Sequence, residues 1–287
     1  MAIEKIRIDS LSSNLAKEGL VVEKDRVLTY SKLICPLDCR YCFVEKLNRE
    51  QSSDAPYLSK RQQELLRTLP EDIKTIMLGC DTEFLQDEEA AADILKSLSG
   101  LGKDISIITK LSLTDHFVDF LKELSDAMRE RGNFIVFSIS IPCFDPSPKW
   151  EPKAPKVTNR IKTLQEISRR GIPSMVAMRP LIPTLQEFEL DKILEATYPH
   201  VFGYYSGPLY LRDLNDGVIS PEEISRLNLK VEKTDPRWMP EGNTFLKIEN
   251  VPLMNYLKNK VKSYGQNFFE GAGEGTEFLR KNHKELR

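Results

Sequence analysis

Short apolar runs alternate with amphipathic segments through the middle of the chain. The runs are rich in Ile, Val and Phe, which is typical of strands covered on both faces. The segments between them repeat apolar residues at helical spacing. The predicted strands span residues 27–34, 73–78, 105–109, 134–140, 174–179 and 200–205. The predicted helices span residues 59–69, 87–98, 114–129, 157–170 and 185–196.

Six strand–helix units in a row predict parallel strands joined by crossover helices. The fold class is therefore α/β, and six units are too few to close an eight-unit barrel. We expect a partial (β/α)6 barrel with parallel strands and a C-terminal cap extension; a flat doubly wound sheet is the alternative.

The expected domain organisation has three parts. Residues 1–26 form an N-terminal extension, 27–206 the barrel, and 207–287 a cap that faces the substrate. Within the cap, residues 251–262 have the pattern of a helix. The glycine-rich stretch 271–275 is expected to be a flexible loop.

Composition narrows the class of protein. The chain has 287 residues, 40% hydrophobic, and a net charge of −2, so no overall charge attracts it to nucleic acid or membrane. It lacks an apolar run of about 20 residues and a signal-peptide pattern at its start. Its five cysteines suit a reducing compartment. We expect a cytoplasmic protein with no membrane partner.

Three of these cysteines, Cys35, Cys39 and Cys42, follow the first strand within eight residues. Three soft ligands in one loop indicate metal binding. Zinc would normally need a fourth ligand, and no further cysteine or histidine stands at paired spacing. A [4Fe–4S] cluster with three cysteine ligands explains the count better, and a zinc-stabilised noncatalytic binding module remains the alternative.

The C-x3-C-x2-C run, with Tyr41 before the last cysteine, resembles the signature of the radical S-adenosylmethionine (SAM) superfamily. The resemblance implies a partial barrel. It also implies that the cluster's open iron binds SAM, whose reductive cleavage gives a 5′-deoxyadenosyl radical for hydrogen abstraction. A one-electron donor such as flavodoxin or ferredoxin is the implied partner.

Active sites of parallel barrels lie at the C-terminal ends of the strands. Six residues there are candidates: Cys80, Asp81, Lys110, Ser138, Ser140 and Arg179. Asp81 suits the ammonium group of SAM, and Lys110 with a serine suits its carboxylate and ribose. Arg179 is a candidate clamp for a phosphate or carboxylate. Each of these also has a structural reading as a surface or core residue.

Within the superfamily, the chain is similar to the spore photoproduct lyase and DNA-repair-photolyase-like group. The pieces that carry this similarity are Gly-Cys-Asp-Thr-Glu (79–83), Ile-Ile-Thr-Lys (107–110), Phe-Ser-Ile-Ser (137–140), Trp-Glu-Pro (150–152), Asn-Arg-Ile (159–161), Gly-Ile-Pro (171–173) and Pro-Leu-Ile-Pro (180–183). The similarity implies that Lys110 and Ser138 contact SAM and that Tyr41 packs near its adenine. It also implies that Cys80 returns a hydrogen atom to the product radical.

A nucleic acid or nucleotide is the substrate class that this similarity favours. However, the cap shows no counterpart of the lyase's basic, aromatic hairpin. The basic residues on the predicted helix 157–170, including Arg160, are expected to lie away from the barrel mouth. A peptide- or small-molecule-modifying radical SAM enzyme is therefore the alternative, and whether the reaction is of the lyase or transferase type stays open.

Overall fold

A computed structural model describes residues 13–44, 47, 50–240, 242 and 244–282. The first twelve residues of the predicted N-terminal extension and the last five of the cap lie outside the described residues.

The main element is one eight-stranded sheet in the order β1-β2-β3-β4-β5-β6-β7-β11. Its strands are β1 (Leu20–Glu23), β2 (Arg26–Thr29), β3 (Thr75–Leu78), β4 (Asp104–Thr109), β5 (Ile135–Ser140), β6 (Ser174–Met178), β7 (Gly203–Ser206) and β11 (Asn267–Phe269). Strands β2 to β7 are mutually parallel and neighbours in sequence order, which confirms the six predicted strands. Strand β1 adds an antiparallel edge, and β11 pairs in parallel with β7.

Residues 13–17 are helical, and nine further α-helices follow them in the described part of the chain. They are α1 (Lys60–Arg67), α2 (Glu88–Ser99), α3 (Asp115–Glu130), α4 (Ser147–Trp150), α5 (Val157–Arg169), α6 (Glu187–Thr197), α7 (Pro221–Arg226), α8 (Val251–Ser263) and α9 (Ala272–Asn282). Side chains of Ser59, Asp87 and Thr114 cap the first three helices, as expected for short polar residues before an apolar-periodic segment.

Alternate residues of each strand enter two separate cores, because successive side chains point to opposite faces of a sheet. Ile107 and Phe137 belong to the larger core with the buried sides of α2, α3, α5 and α6. Val136 and Ala177 face the other way, into a smaller core. The crossover helices thus share one face, and the sheet is a partial barrel rather than a doubly wound sheet.

The smaller core fills the barrel interior, and helix α9 contributes Ala272 and Leu279 to it. The expectation that residues 271–275 form a flexible loop is wrong, since α9 begins at Ala272. Arg280 on this helix donates to Asp104 (2.7 Å) and Thr75 (2.7 Å), which lie at the starts of β4 and β3. The helix therefore reaches the N-terminal end of the barrel.

A second, three-stranded antiparallel sheet lies over the barrel mouth, in the order β8 (Leu209–Leu211), β10 (Phe245–Glu249), β9 (Lys230–Thr234). Residues after 206 therefore form this small sheet and also supply β11 and α9 to the barrel itself. The predicted three-part division stays a prediction.

Among the described residues, none of the helices combines the length and apolarity required to cross a lipid bilayer.

Candidate active site

A cavity of about 590 Å³ opens at the C-terminal ends of the barrel strands. This volume lies in the usual range for small-molecule sites. Its lining comprises the cysteine loop, the strand ends, part of the small sheet and the start of α9, and it extends inward to the turn between β1 and β2. The candidates that line it are Cys35, Cys39, Tyr41, Cys42, Cys80, Asp81, Lys110, Ser140 and Arg179. Ser138 is the exception among the predicted site residues.

Strand β2 ends at Thr29, with five residues between it and Cys35, so the first strand is shorter than the predicted span of residues 27–34. A tight turn brings the last two cysteines of the loop together, with the Cys42 amide donating to the Cys39 carbonyl at 2.8 Å. Asp38 takes a positive φ of 51°, which lets the loop reverse just before Cys39. Cys35, Cys39 and Cys42 are each partly exposed, and all three line the cavity.

The electrostatics of the loop agree with this proximity. Burial raises the pKa of Cys39 to about 11 and that of Cys42 to about 12, and the charge of Cys35 adds to both rises. Three thiols that influence one another this way need a compensating positive charge to bind as thiolates, which a metal cluster supplies.

The three cysteines can be compared with what two kinds of metal centre require. No group of three His, Cys, Asp or Glu side chains in the described ranges has the compact arrangement of a metal-ion site. One zinc ion draws its sulfur ligands to about 2.3 Å from a common centre, whereas a cube spreads its cysteine ligands over separate corners. Three partly exposed thiols that line one cavity fit a cube, because each can meet a corner of its own and the cavity leaves room beside them.

Tyr41 fixes the loop to the barrel. Its hydroxyl donates to Glu151, and Glu151 forms an ion pair of 2.6 Å with Arg160 in which both side chains are fully buried. Arg160 also donates to the Ser140 carbonyl, at the end of β5, at 2.9 Å. The expectation that Arg160 lies away from the mouth is therefore wrong, because its guanidinium points inward from α5 and ties the cysteine loop to a strand end.

The segment after β3 begins with a glycine that the fold requires. Gly79 has a φ of 78°, and a Cβ there would lie 2.0 Å from the Ile108 carbonyl oxygen. This close approach aligns the following residues with the end of β4. Asp81 accepts the Ser31 amide at 2.8 Å, and Glu83 accepts the Thr109 hydroxyl at 2.7 Å.

Lys110 ends β4 with its ammonium 5.9 Å from the centre of the Tyr41 ring. Burial opposes its charge, but the negative charges of Cys39, Glu151 and Glu83 outweigh burial and raise the pKa of Lys110 above its usual range. The cavity therefore keeps a permanent cation beside the cysteine loop.

Ser138 and Ser140 lie on the same face of β5 but at different distances from the cavity. Ser140 lines the cavity. Ser138 is fully buried, and its hydroxyl lies beside the buried hydroxyl of Tyr205. Ser138 is thus separated from the cavity that its neighbour lines.

Cys80 and Arg179 lie at the ends of β3 and β6 and line the same cavity. The Cys80 thiol donates to the Met77 carbonyl at 3.6 Å, and burial, with a smaller contribution from Asp81, raises its pKa to about 12. The guanidinium of Arg179 stacks on Trp238, with its carbon 5.0 Å from the ring centre.

Sequence reasoning missed an aromatic cluster over the mouth. Phe43, directly after Cys42, meets Trp238 edge-on at 5.5 Å and Phe245 at 6.1 Å, and Tyr210 joins both. The aromatic residues after position 206 show no periodicity, so no pattern in the sequence indicated that these four side chains would meet. The buried Glu151–Arg160 pair did leave a signal, because it falls in the Trp-Glu-Pro and Asn-Arg-Ile pieces of the family resemblance.

Solved structures with a similar fold include those of SuiB and spore photoproduct lyase. Streptococcus suis SuiB gives a TM-score of 0.58 at 13% identity, covering 91% of this chain and 52% of SuiB. A cysteine-to-serine variant of spore photoproduct lyase gives 0.59 at 10% identity, covering 84% of this chain and 76% of the lyase. The lyase complexed with dinucleoside spore photoproduct gives 0.56 at 11% identity, covering 83% and 75%.

This chain spans about half the length of SuiB, and at these identities the similarity shows the fold alone. No curated protein sequence matches the chain. The family model described as the radical SAM superfamily matches residues 32–197. Because that match covers more than half of the chain, the protein belongs to the radical SAM superfamily, whose enzymes use a [4Fe–4S] cluster and SAM.

Proposed function

We propose that this enzyme abstracts a hydrogen atom from a substrate bound in the barrel cavity, with the cluster held by Cys35, Cys39 and Cys42. The bound cluster would supply the electron that cleaves SAM to the 5′-deoxyadenosyl radical. The observation that carries the proposal is that three cysteines and the cation Lys110 line one cavity at the strand ends of a partial barrel.

We assign the amino acid end of SAM to Asp81 and Lys110. Both line the cavity beside the cysteine loop, and the raised pKa of Lys110 keeps it charged. Tyr41 and Ser140 are assigned to the adenosine part. Ser138 stays a predicted SAM contact, although its hydroxyl is buried beside Tyr205. Arg179 stays a candidate for an anionic group of the cofactor or of the substrate.

Cys80 is proposed to return a hydrogen atom to the product radical. In that step its S–H bond breaks homolytically, a C–H bond forms on the substrate, and the unpaired electron remains on sulfur. A pKa of about 12 keeps the thiol protonated at neutral pH, which the step requires. Cys80 also lines the cavity in which the substrate would lie.

A nucleic acid or nucleotide is the proposed substrate class, on the strength of the sequence resemblance to the lyase group. One observation favours the alternative of a peptide or small molecule. Glu270, Glu274 and Glu277 line a wall of the cavity, and carboxylates repel an extended phosphate backbone. SuiB, with a similar fold, has been solved with its precursor peptide SuiA. Within the proposed class, a single nucleotide would bring fewer phosphates near these carboxylates than a DNA strand would.

Radical SAM enzymes need an electron donor, and we propose flavodoxin or ferredoxin for that role. We also propose a cytoplasmic location. The proposed barrel comprises residues 27–206. The test is anaerobic reconstitution with iron and sulfide. We expect brown protein with about four irons per chain, which forms 5′-deoxyadenosine from SAM when reduced.

Colourless protein after this treatment would contradict the cluster assignment. One tightly bound zinc without SAM affinity would support the noncatalytic binding module instead. Brown protein that binds SAM but forms no 5′-deoxyadenosine under any reductant would contradict hydrogen abstraction while retaining the cluster.

A further inference from the structure

Arg179 lies in a narrow slot between Trp238 and Gly207, which confines its planar guanidinium. Its guanidinium carbon is 5.0 Å from the centre of the Trp238 ring. On another side is Gly207, where a Cβ would approach the guanidinium nitrogen Nε to 2.9 Å and the carbon Cζ to 3.1 Å. A larger residue at position 207 would displace the side chain. The slot therefore fixes the plane of the guanidinium at the cavity wall.

Two buried or partly buried arginines of the described chain are neutralised by carboxylates, while the partly exposed Arg129 and Arg212 donate to backbone carbonyls. Arg160 pairs with Glu151 at 2.6 Å, and Arg280 pairs with Asp104 at 2.7 Å. No carboxylate in the described residues forms an ion pair with Arg179, although it is only partly exposed. A half-buried charge without a counter-ion is unfavourable. An anion from outside the chain would remove that cost.

Arg179 faces the part of the cavity where the substrate would react. It lines the same space as Cys80 and Tyr205 and lies close enough to influence the charge state of both. Trp238 links it to the cysteine loop through the edge-on contact with Phe43 at 5.5 Å. A group held by Arg179 would thus lie beside the proposed hydrogen donor.

The partners of Arg179 distinguish a substrate site from a SAM site. The superfamily model matches residues 32–197, and SAM binding is common to that superfamily. Gly207, Tyr210 and Trp238, which surround Arg179, all come after residue 197. A site completed by residues outside the shared region is suited to what differs between members, which is the substrate.

We infer that Arg179, stacked on Trp238 and flanked by Gly207 and Tyr210, binds a carboxylate or phosphate group of the substrate next to Cys80. This inference rests on the proposed function, because it assigns the substrate of that same cavity. The planar guanidinium fork matches both groups, since each presents two oxygens to paired N–H donors.

The test is calorimetric titration of the reconstituted enzyme with SAM already saturating. Inorganic phosphate, thymidine 5′-monophosphate and N-acetylglycine are the probes, so the last two arms separate a nucleotide phosphate from a carboxylate. The variants are Arg179→Gln and Arg179→Lys. Arg212→Gln is the matched control, because Arg212 also stacks on an aromatic ring, Phe245, at 4.7 Å but does not line the cavity.

At least one probe should bind the unaltered enzyme, and Arg179→Gln should weaken that binding by about tenfold to a hundredfold. Arg179→Lys should fall between, since it keeps the charge and loses the fork. The Arg212→Gln control should match the unaltered enzyme. SAM affinity, measured separately, should be the same in all variants.

Three results would overturn the inference: no probe binds, Arg179→Gln binds the probes as well as the unaltered enzyme, or Arg179→Gln loses SAM affinity instead. None of these bears on whether the enzyme carries a cluster and cleaves SAM. If reconstitution itself fails, titration of the purified protein, followed by Trp238 fluorescence with Trp238→Phe as the blank, still tests Arg179.

Discussion

Glu151 and Arg160 form a 2.6 Å ion pair from which solvent is fully excluded, directly behind the cysteine loop. Tyr41, between two of the cysteines in sequence, donates its hydroxyl to Glu151. The pair therefore connects the loop with helix α5, and through Arg160 with the end of β5. The position of the cysteine loop therefore depends on a charge pair from which solvent is excluded.

Glu151→Gln should destabilise the protein by about 3–5 kcal/mol, because it leaves the buried guanidinium of Arg160 without its counter-charge. Urea unfolding followed by circular dichroism measures this free energy. Lys96→Met is the matched control, since Lys96 pairs with Asp93 at 3.6 Å on the surface and both side chains are mostly exposed. That variant should unfold at the same urea concentration as the unaltered protein. Equal midpoints for all three proteins would mean that the buried pair contributes nothing.

Replacing Cys35, Cys39 or Cys42 singly by Ala should abolish or strongly reduce iron and sulfide content after reconstitution, because each removes one of three cluster ligands. Metal analysis and visible absorbance measure the loss. Cys143→Ala is the control: Cys143 is fully buried in the larger core and does not line the cavity, so its variant should still turn brown. Normal iron content in any of the three loop variants would remove that cysteine from the ligand set.

Alkylation of Cys80 should be slow at neutral pH in the folded protein, because the thiolate reacts and burial raises the pKa of this thiol to about 12. The rate should rise about tenfold per pH unit below that pKa as the thiolate fraction grows. Iodoacetamide labelling with peptide mass spectrometry measures it, and the chain in denaturant, with an ordinary cysteine pKa of about 8.5, is the control. Equal rates in the folded and denatured chains at pH 8 would contradict the raised pKa.

Cys80→Ala should leave 5′-deoxyadenosine formation intact while the substrate product falls or is diverted, because only the returned hydrogen atom is lost. Chromatographic quantification of both products on one sample separates the two steps. An unchanged product yield would make Cys80 a structural residue of the cavity wall.

Gly79→Ala should destabilise the fold more than Gly102→Ala does. Both glycines have positive φ, so both variants incur about 1–2 kcal/mol of backbone strain. Only at Gly79 would the new Cβ also meet a backbone oxygen, 2.0 Å away, whereas nothing lies within 4 Å at Gly102. Thermal unfolding of the two variants isolates the close contact, and equal melting temperatures would contradict it.

The repeating part of the fold was predictable because each unit follows one rule. Strands β2 to β7 are short aliphatic runs, and Ser59, Asp87 and Thr114 mark helix starts by their side-chain chemistry. Strand β11 has three residues and helix α9 begins in a glycine-rich stretch, so neither shows a usable period. Their positions are set by packing inside the barrel rather than by local preference.

Some residues of the candidate site could likewise be predicted from the sequence, and others could not. The residues at strand ends could be found from sequence, because parallel strands bring their C-terminal ends together. Arg160 could not be placed this way, since a lone arginine on an amphipathic helix is normally solvated. Its partner Glu151 is nine positions earlier, beyond the reach of any helical spacing rule. Trp238 was equally hidden, because its neighbours Phe43 and Arg179 are far from it in sequence.

Helix α9, in the C-terminal part of the chain, sets the size of the cavity. Its first turns line the cavity, and Arg280 anchors its other end at the base of the strands. Lengthening, tilting or exchanging this one element would deepen or fill the cavity while the cofactor end kept its shape. What the cavity of this protein admits can thus change through one helix while the cysteine loop stays as it is.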